Sequence, residues 1–248
     1  LLFVVGAVAS AINAVAGGGS LISFPTLVFA IRLPSTVANA TNSVALWPGS
    51  LSGAFGFKNL LHKAGHHLSR LIVPTILGST VGAFLLVKTD PRVFDLVVPW
   101  LILFAAVLLL LQPKVKAWVL QGGRRTVGPA GAITLQFMVS VYGGYFGAGM
   151  GIMMLAIFAL YIEGTIHELN AVKNWLGLVI NFTCSTVFLF QGLVQPYVAL
   201  ALAAGSIVGG FVAARFSQRV QPDRMRTLIA IYGVGMAAYY LARSWHLI

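Results

Sequence analysis

Acidic residues are scarce in this chain: five Asp and Glu stand against sixteen Lys and Arg in 248 residues, and the four types together make up only 8% of it. A soluble domain carries about 25% charged residues, so a water-facing surface cannot be assembled here. The same scarcity leaves the apolar stretches almost without carboxylates. No metal or cation site is expected from them, and Asp95 lies only at the end of one stretch. A single cysteine, Cys184, excludes an internal disulfide. Enzyme signatures are missing as well. There is no Gly-rich loop ending in Gly-Lys-Ser/Thr, no His-Glu-x-x-His and no Gly-x-Ser-x-Gly, which argues against ATP hydrolysis, zinc chemistry and a serine nucleophile elbow. We expect no catalytic residue and no cofactor. The chain starts at Leu1 rather than Met, so the true N-terminus is left undetermined, and the opening is too long and Gly-rich to read as a signal peptide.

What is present is hydrophobic: 58% of residues, with a mean hydropathy of +0.91. Charges are absent from residues 1–31, 33–57, 71–87, 96–113, 126–162, 174–214 and 227–242. Each stretch approaches or exceeds the roughly 17–25 residues that cross a bilayer. The longest holds two spans separated by the polar break Gln191–Pro196. The formal net charge of +11 therefore reads as topology signals and contacts with anionic membrane lipid, not as nucleic-acid binding.

The sequence matches itself at one ungapped register. Gly18 pairs with Gly149, Asn39-Ala40 with Asn170-Ala171, Gly78 with Gly209 and Pro91 with Pro222. This predicts two homologous halves, residues 1–112 and 128–248, joined by a basic cytoplasmic linker at 113–127. If the halves are inverted, eleven Lys and Arg lie inside and four outside; parallel halves split them almost evenly. The positive-inside rule thus favours inversion. The expected fold is all-α: a polytopic membrane protein of two inverted repeats, each a Gly-broken helical hairpin plus three transmembrane helices. The breaks are placed at Gly17, Gly18 and Gly19 and at Gly147, Gly149 and Gly151.

These breaks are one half of a candidate site. Unwound backbone at membrane depth persists only against protein or a wet cavity, and a helix that restarts after a break offers N–H groups to an anion. Close helix packing is the competing reading. The other half comes from spacing. Asn39, Asn42 and Ser43 fall on one helical face, and Asn170, Lys173 and Asn174 repeat it. The amides could instead tie helix to helix, and Lys173 could snorkel to the interface. Together with Ser20, these residues form a candidate anion site between the halves. His62, His66 and His67 read as a solvated surface, Glu163, His167 and Glu168 as interfacial groups or a proton relay, and Trp47, Trp175, Phe55 and Phe57 as packing or belt residues.

The run Ala14-Val-Ala-Gly-Gly-Gly-Ser-Leu-Ile-Ser-Phe-Pro25, followed by Pro34-Ser-Thr-Val-Ala-Asn39-Ala-Thr-Asn42, resembles the sulfite exporter TauE/SafE family of membrane permeases. The resemblance continues through Tyr145-Phe-Gly-Ala-Gly-Met-Gly151 and Leu169-Asn170-Ala-Val-Lys173-Asn174, and so covers nearly the whole chain. It departs at Ala156, where the family pattern has proline. It implies movement of sulfur-containing anions such as sulfite, sulfoacetate or other organosulfonates, driven by an ion gradient. The expectation is a secondary transporter in the bacterial inner (plasma) membrane working by alternating access. An anion channel or a membrane assembly subunit are the alternatives. A homodimer is left open.

Overall fold

The computed structural model describes residues 1–15, 17–56, 65–120, 127–162, 164–216 and 222–244. Every regular element among them is helical: α1 (Leu2–Val15), α2 (Ser20–Pro25, continued by a π-helical turn over Thr26–Ala30), α3 (Ser35–Gly56), α4 (His66–Lys88), α5 (Pro91–Leu120), α6 (Pro129–Tyr145), α7 (Met150–Tyr161), α8 (Ile166–Phe190), α9 (Pro196–Phe216) and α10 (Pro222–Ser244). Each half is thus a broken helix pair followed by three long helices. The predicted linker begins inside a helix, since α5 runs through Pro113 to Leu120; residues 121–126 lie outside the described part.

Among the described residues, four helices are long and apolar enough to cross a membrane: those spanning His67–Lys88, Pro91–Val115, Ile166–Phe190 and Pro196–Ala213. Their number, length and apolarity make this a multi-pass membrane protein. Helix α3 has the length, 22 residues, but carries Asn39, Asn42, Ser43 and Ser50 among its apolar residues. Its polar face is covered by other helices rather than by lipid, and Asn39 and Asn42 are only 1% and 2% exposed.

The chain reverses at both glycine breaks. Gly17 has φ +81°, and Gly147 and Gly149 have φ +78° and +79°, left-handed values that a side chain rarely tolerates. After the first break Gly19 backs onto the carbonyl of Ala9, which a continuous helix would hold three turns away. After the second, the Tyr142 hydroxyl donates to the Ala148 carbonyl at 2.6 Å. These are the helical hairpins expected from the sequence. In α2, Pro25 lacks an N–H and crowds the preceding turn. The ladder widens into a π turn, with Ile31 N donating to Thr26 O at 3.2 Å.

The main helix pairings are preserved when the halves are exchanged. Helix α1 lies on α9 and its counterpart α6 on α4; α3 meets α9 as α8 meets α4; α3 pairs with α8, and α5 with α10. Small residues permit the closest of these approaches. Gly6 sits on the Leu202 carbonyl, Gly205 on that of Phe3 and Gly209 on that of Ala7, while Gly82 and Gly144 do the same between α6 and α4.

Helix α8 begins with a capping box. Thr165 Oγ1 accepts from Glu168 N at 3.3 Å, and Glu168 Oε2 accepts from Thr165 N at 2.7 Å. The cap accounts for Glu168 without a proton relay. Glu168→Ala is expected to cost about 0.5–2 kcal/mol, read as a lowered thermal midpoint with unchanged anion affinity. His67 is not on a solvated surface: it is 4% exposed and stacks edge-on against Tyr161, centroids 4.9 Å apart. Apolar helix packing closes over the ring. Trp47 packs on Phe182 and Trp175 on Phe55. His62, Phe57 and Glu163 lie outside the described residues, as does the side chain of His66.

Candidate functional site

The two glycine breaks touch. Gly149 N donates to the Gly17 carbonyl at 3.2 Å, and a Cβ on Gly17 would stand 3.2 Å from the Gly151 Cα. The left-handed backbone requires glycine at positions 17 and 149, and a Cβ on Gly17 or Gly151 would press against the other's Cα.

Around this crossing, each polar helix reaches the end of the other half's broken helix. Asn39 Nδ2, on α3, donates to the Tyr145 carbonyl at the end of α6 at 2.8 Å. Lys173 Nζ and Asn174 Nδ2, on α8, donate to the Ala14 carbonyl at the end of α1 at 3.3 and 3.4 Å. Ala14 and Tyr145 are equivalent in the repeat register, so the two contacts correspond. Helix C-termini carry partial negative charge and unpaired carbonyls, which is what an amide N–H or an ammonium neutralises.

Lys173 does not snorkel. It is 3% exposed, and its stem lies across Gly151, where an added Cβ would come within 3.2 Å of Cδ. Among the described residues, the one hydrogen bond of its ammonium is to a neutral carbonyl. A cation held at this depth by a helix end alone is costly and marks a functional position.

Two small cavities adjoin there. The first is lined by Lys173, Asn174, Asn13, Ser10, Ser50 and Asn181, among others, and measures about 20 Å³, the room of about one water molecule. The second lies against Asn42, Ser43, Ser20 and the end of α6 and measures about 10 Å³. Both are lined by Asn13, Met150 and Asn181. A larger groove of about 620 Å³ between α3, α4 and α8 is apolar, walled by Trp47, Leu51, Ile76 and Phe182; no charged residue lines it.

Of the residues singled out from sequence, Gly17, Gly151, Lys173 and Asn174 line the first cavity, and Ser20, Asn42, Ser43 and Gly147 the second. The others stand behind them. Gly18 faces Leu109, Gly19 the Ala9 backbone and Gly149 the Ala105 backbone, so these three serve close packing. Asn39 positions the end of α6, and the Asn170 carbonyl accepts from Asn174 Nδ2 at 2.9 Å.

Sequence reasoning missed Asn13, Ser10, Ser50 and Asn181. Ser50 and Asn181 occupy equivalent repeat positions and bond to each other, Nδ2 to Oγ at 3.0 Å, which puts the pair where the exchange axis passes. The signal was available, since each is a polar residue inside a charge-free stretch and the two coincide in the repeat register.

The family described as sulfite exporter TauE/SafE matches over residues 2–240. A probable membrane transporter protein of Haemophilus influenzae is 28% identical over 96% of this chain and 92% of its own length. Another from Sinorhizobium is 24% identical over 99% of this chain and 93% of its own, and YfcA of Escherichia coli K12, also a probable membrane transporter protein, is 26% identical over 98% and 90%. No solved structure matches the chain.

Proposed function

The chain belongs to the sulfite exporter TauE/SafE family, and from that premise we propose that it is a secondary transporter of small sulfur-containing anions, among them sulfite, sulfoacetate and other organosulfonates. In this reading the two halves are inverted repeats, and the anion binds where their glycine breaks cross, reached alternately from the two sides of the bacterial inner membrane.

The observation that carries the reading is Lys173. Its buried ammonium, with the amides of Asn174, Asn13 and Asn181 and the hydroxyls of Ser10 and Ser50 around one cavity, is suited to an oxyanion. An anion would compete with the Ala14 carbonyl for the ammonium, and a bond in which both partners are charged is the stronger of the two. The cavity, at about 20 Å³, is too small for a sulfur centre bearing three oxygens. Binding therefore requires the helix ends to part, which suits a closed intermediate between two open forms.

Flux of labelled sulfite and sulfoacetate into proteoliposomes tests the proposal. Saturable uptake that accelerates under an imposed ion gradient is expected. Linear, gradient-indifferent flux would instead indicate a channel, and no flux above empty vesicles would overturn both.

A further inference from the structure

We propose that the cavity beside Asn42 is a sodium site, in which an exchangeable cation fills the role that the Lys173 ammonium fills in the other half. Asn42 and Lys173 are equivalent in the repeat register, on the equivalent helices α3 and α8. Each stands near the C-terminal end of the broken helix of the other half: Lys173 at α1, and Asn42 at α6, whose Gly143, with Gly147 just past the helix end, lines the Asn42 cavity. Both helix ends carry the partial negative charge of exposed carbonyls. At α1 a tethered cation meets that charge. At α6 the neighbouring Asn39 supplies only a neutral N–H, and no charged residue lines the cavity.

Asn42 itself points to what is needed there. Its Nδ2 donates to Ser20 Oγ at 3.2 Å, while its Oδ1, on a side chain 2% exposed, has no hydrogen-bond partner among the described residues. A buried amide oxygen without a donor is unfavourable unless a ligand satisfies it. The same cavity is lined by Ser20, Ser43, Asn13 and Asn181, a set of neutral oxygen donors.

Neutral oxygens suit a hard cation. Calcium is bound through carboxylates, and no carboxylate lines this cavity; among the described residues no group of three or more His, Cys, Asp or Glu could hold a metal ion. The volume of about 10 Å³ admits one small ion or one water, which is room for a single monovalent cation, with Na⁺ the smaller candidate and K⁺ the control. Unwound backbone and half-helix C-termini are the settings in which membrane transporters coordinate such ions. Because Asn13, Met150 and Asn181 line this cavity as well as that of Lys173, a cation here lies close to the proposed anion, and each favours binding of the other.

Occupancy of the site stands independently of transport, and only its coupling role rests on the transporter reading. The test uses the purified full chain in detergent, without anion substrate, exchanging Na⁺ for choline or K⁺ at constant ionic strength. Na⁺ at a hundredfold excess over its Kd is expected to raise the thermal midpoint by about 5 °C or more, while K⁺ and choline leave it unchanged. Asn42→Asp adds a carboxylate ligand and should tighten Na⁺ about tenfold. Asn42→Lys should abolish the Na⁺ response, the cation now being tethered as at Lys173. Asn42→Ala should abolish it too, and if that variant does not fold, the wild type and Asn42→Asp decide. A wild-type midpoint indifferent to Na⁺, or a response that survives in Asn42→Ala, overturns the proposal. A Na⁺ response without sulfite flux in proteoliposomes would remove the transport reading and leave the site. Flux without any Na⁺ response would remove the site and leave transport.

Discussion

Lys173→Met is expected to abolish the proposed high-affinity anion transport while leaving the protein as stable as before or more so. The ammonium is 3% exposed and is answered by the Ala14 carbonyl. Removing one member of a buried charged pair formed with a ligand costs about 2–5 kcal/mol, so apparent affinity for sulfite or sulfoacetate falls on the order of 10²- to 10³-fold. Stability moves the other way. Met keeps the length and shape of the stem that lies across Gly151, and replacing a buried charge by an apolar side chain is commonly neutral or stabilising. The Ala14 carbonyl keeps Asn174 Nδ2 at 3.4 Å, so the end of α1 is not abandoned. Paired flux and thermal-midpoint measurements separate the roles: a Met variant that transports normally but melts early would make Lys173 a helix cap and nothing more. Lys173→Arg is also expected to fail. The larger planar guanidinium needs a fork-shaped partner, and the cavity of about 20 Å³ beside residue 173 leaves it little space.

The second large effect belongs to the seam between α1 and α9. A Cβ on Gly209 would fall on the carbonyl group of Ala7 and 2.7 Å from its Cα. Gly209→Val therefore forces two helix backbones apart. No flexible side-chain end is available to yield, and overpacking of this kind exceeds about 3 kcal/mol. For a chain of this length that lowers the thermal midpoint by roughly 6–12 °C, with a matching fall in monodisperse yield from detergent. Gly235→Ala provides the control, since nothing lies within 4 Å of a Cβ there. It should be neutral or stabilising by up to about 1 kcal/mol, because alanine is the better helix former. Equal loss in both variants would mean that the seam does not hold the bundle.

Much of this was legible locally. Charge-free stretches marked the spans, and the glycine breaks fell where the chain reverses. The i, i+3, i+4 spacing of Asn39, Asn42 and Ser43 put them on one face because helical geometry fixes that relation without reference to the rest of the fold. The capping box was legible too, as Thr165-Ile-His-Glu168 ahead of an apolar run, yet Glu168 was read as interfacial. His67 differs from its reading for another reason: its neighbours in sequence are basic and polar, whereas the Tyr161 ring that packs on it comes from far along the chain.

The sequence by itself determined that this is a two-halved membrane protein with a broken hairpin in each half, since composition and short-range spacing are properties of the chain alone. Tertiary structure decided which groups meet. That Gly17 touches Gly151, that Lys173 ends on Ala14 while its counterpart Asn42 keeps an unpartnered oxygen, and that Ser50 bonds Asn181 across the repeat are contacts between residues far apart along the chain. No periodicity encodes them; they exist only once helices of one half are packed against those of the other.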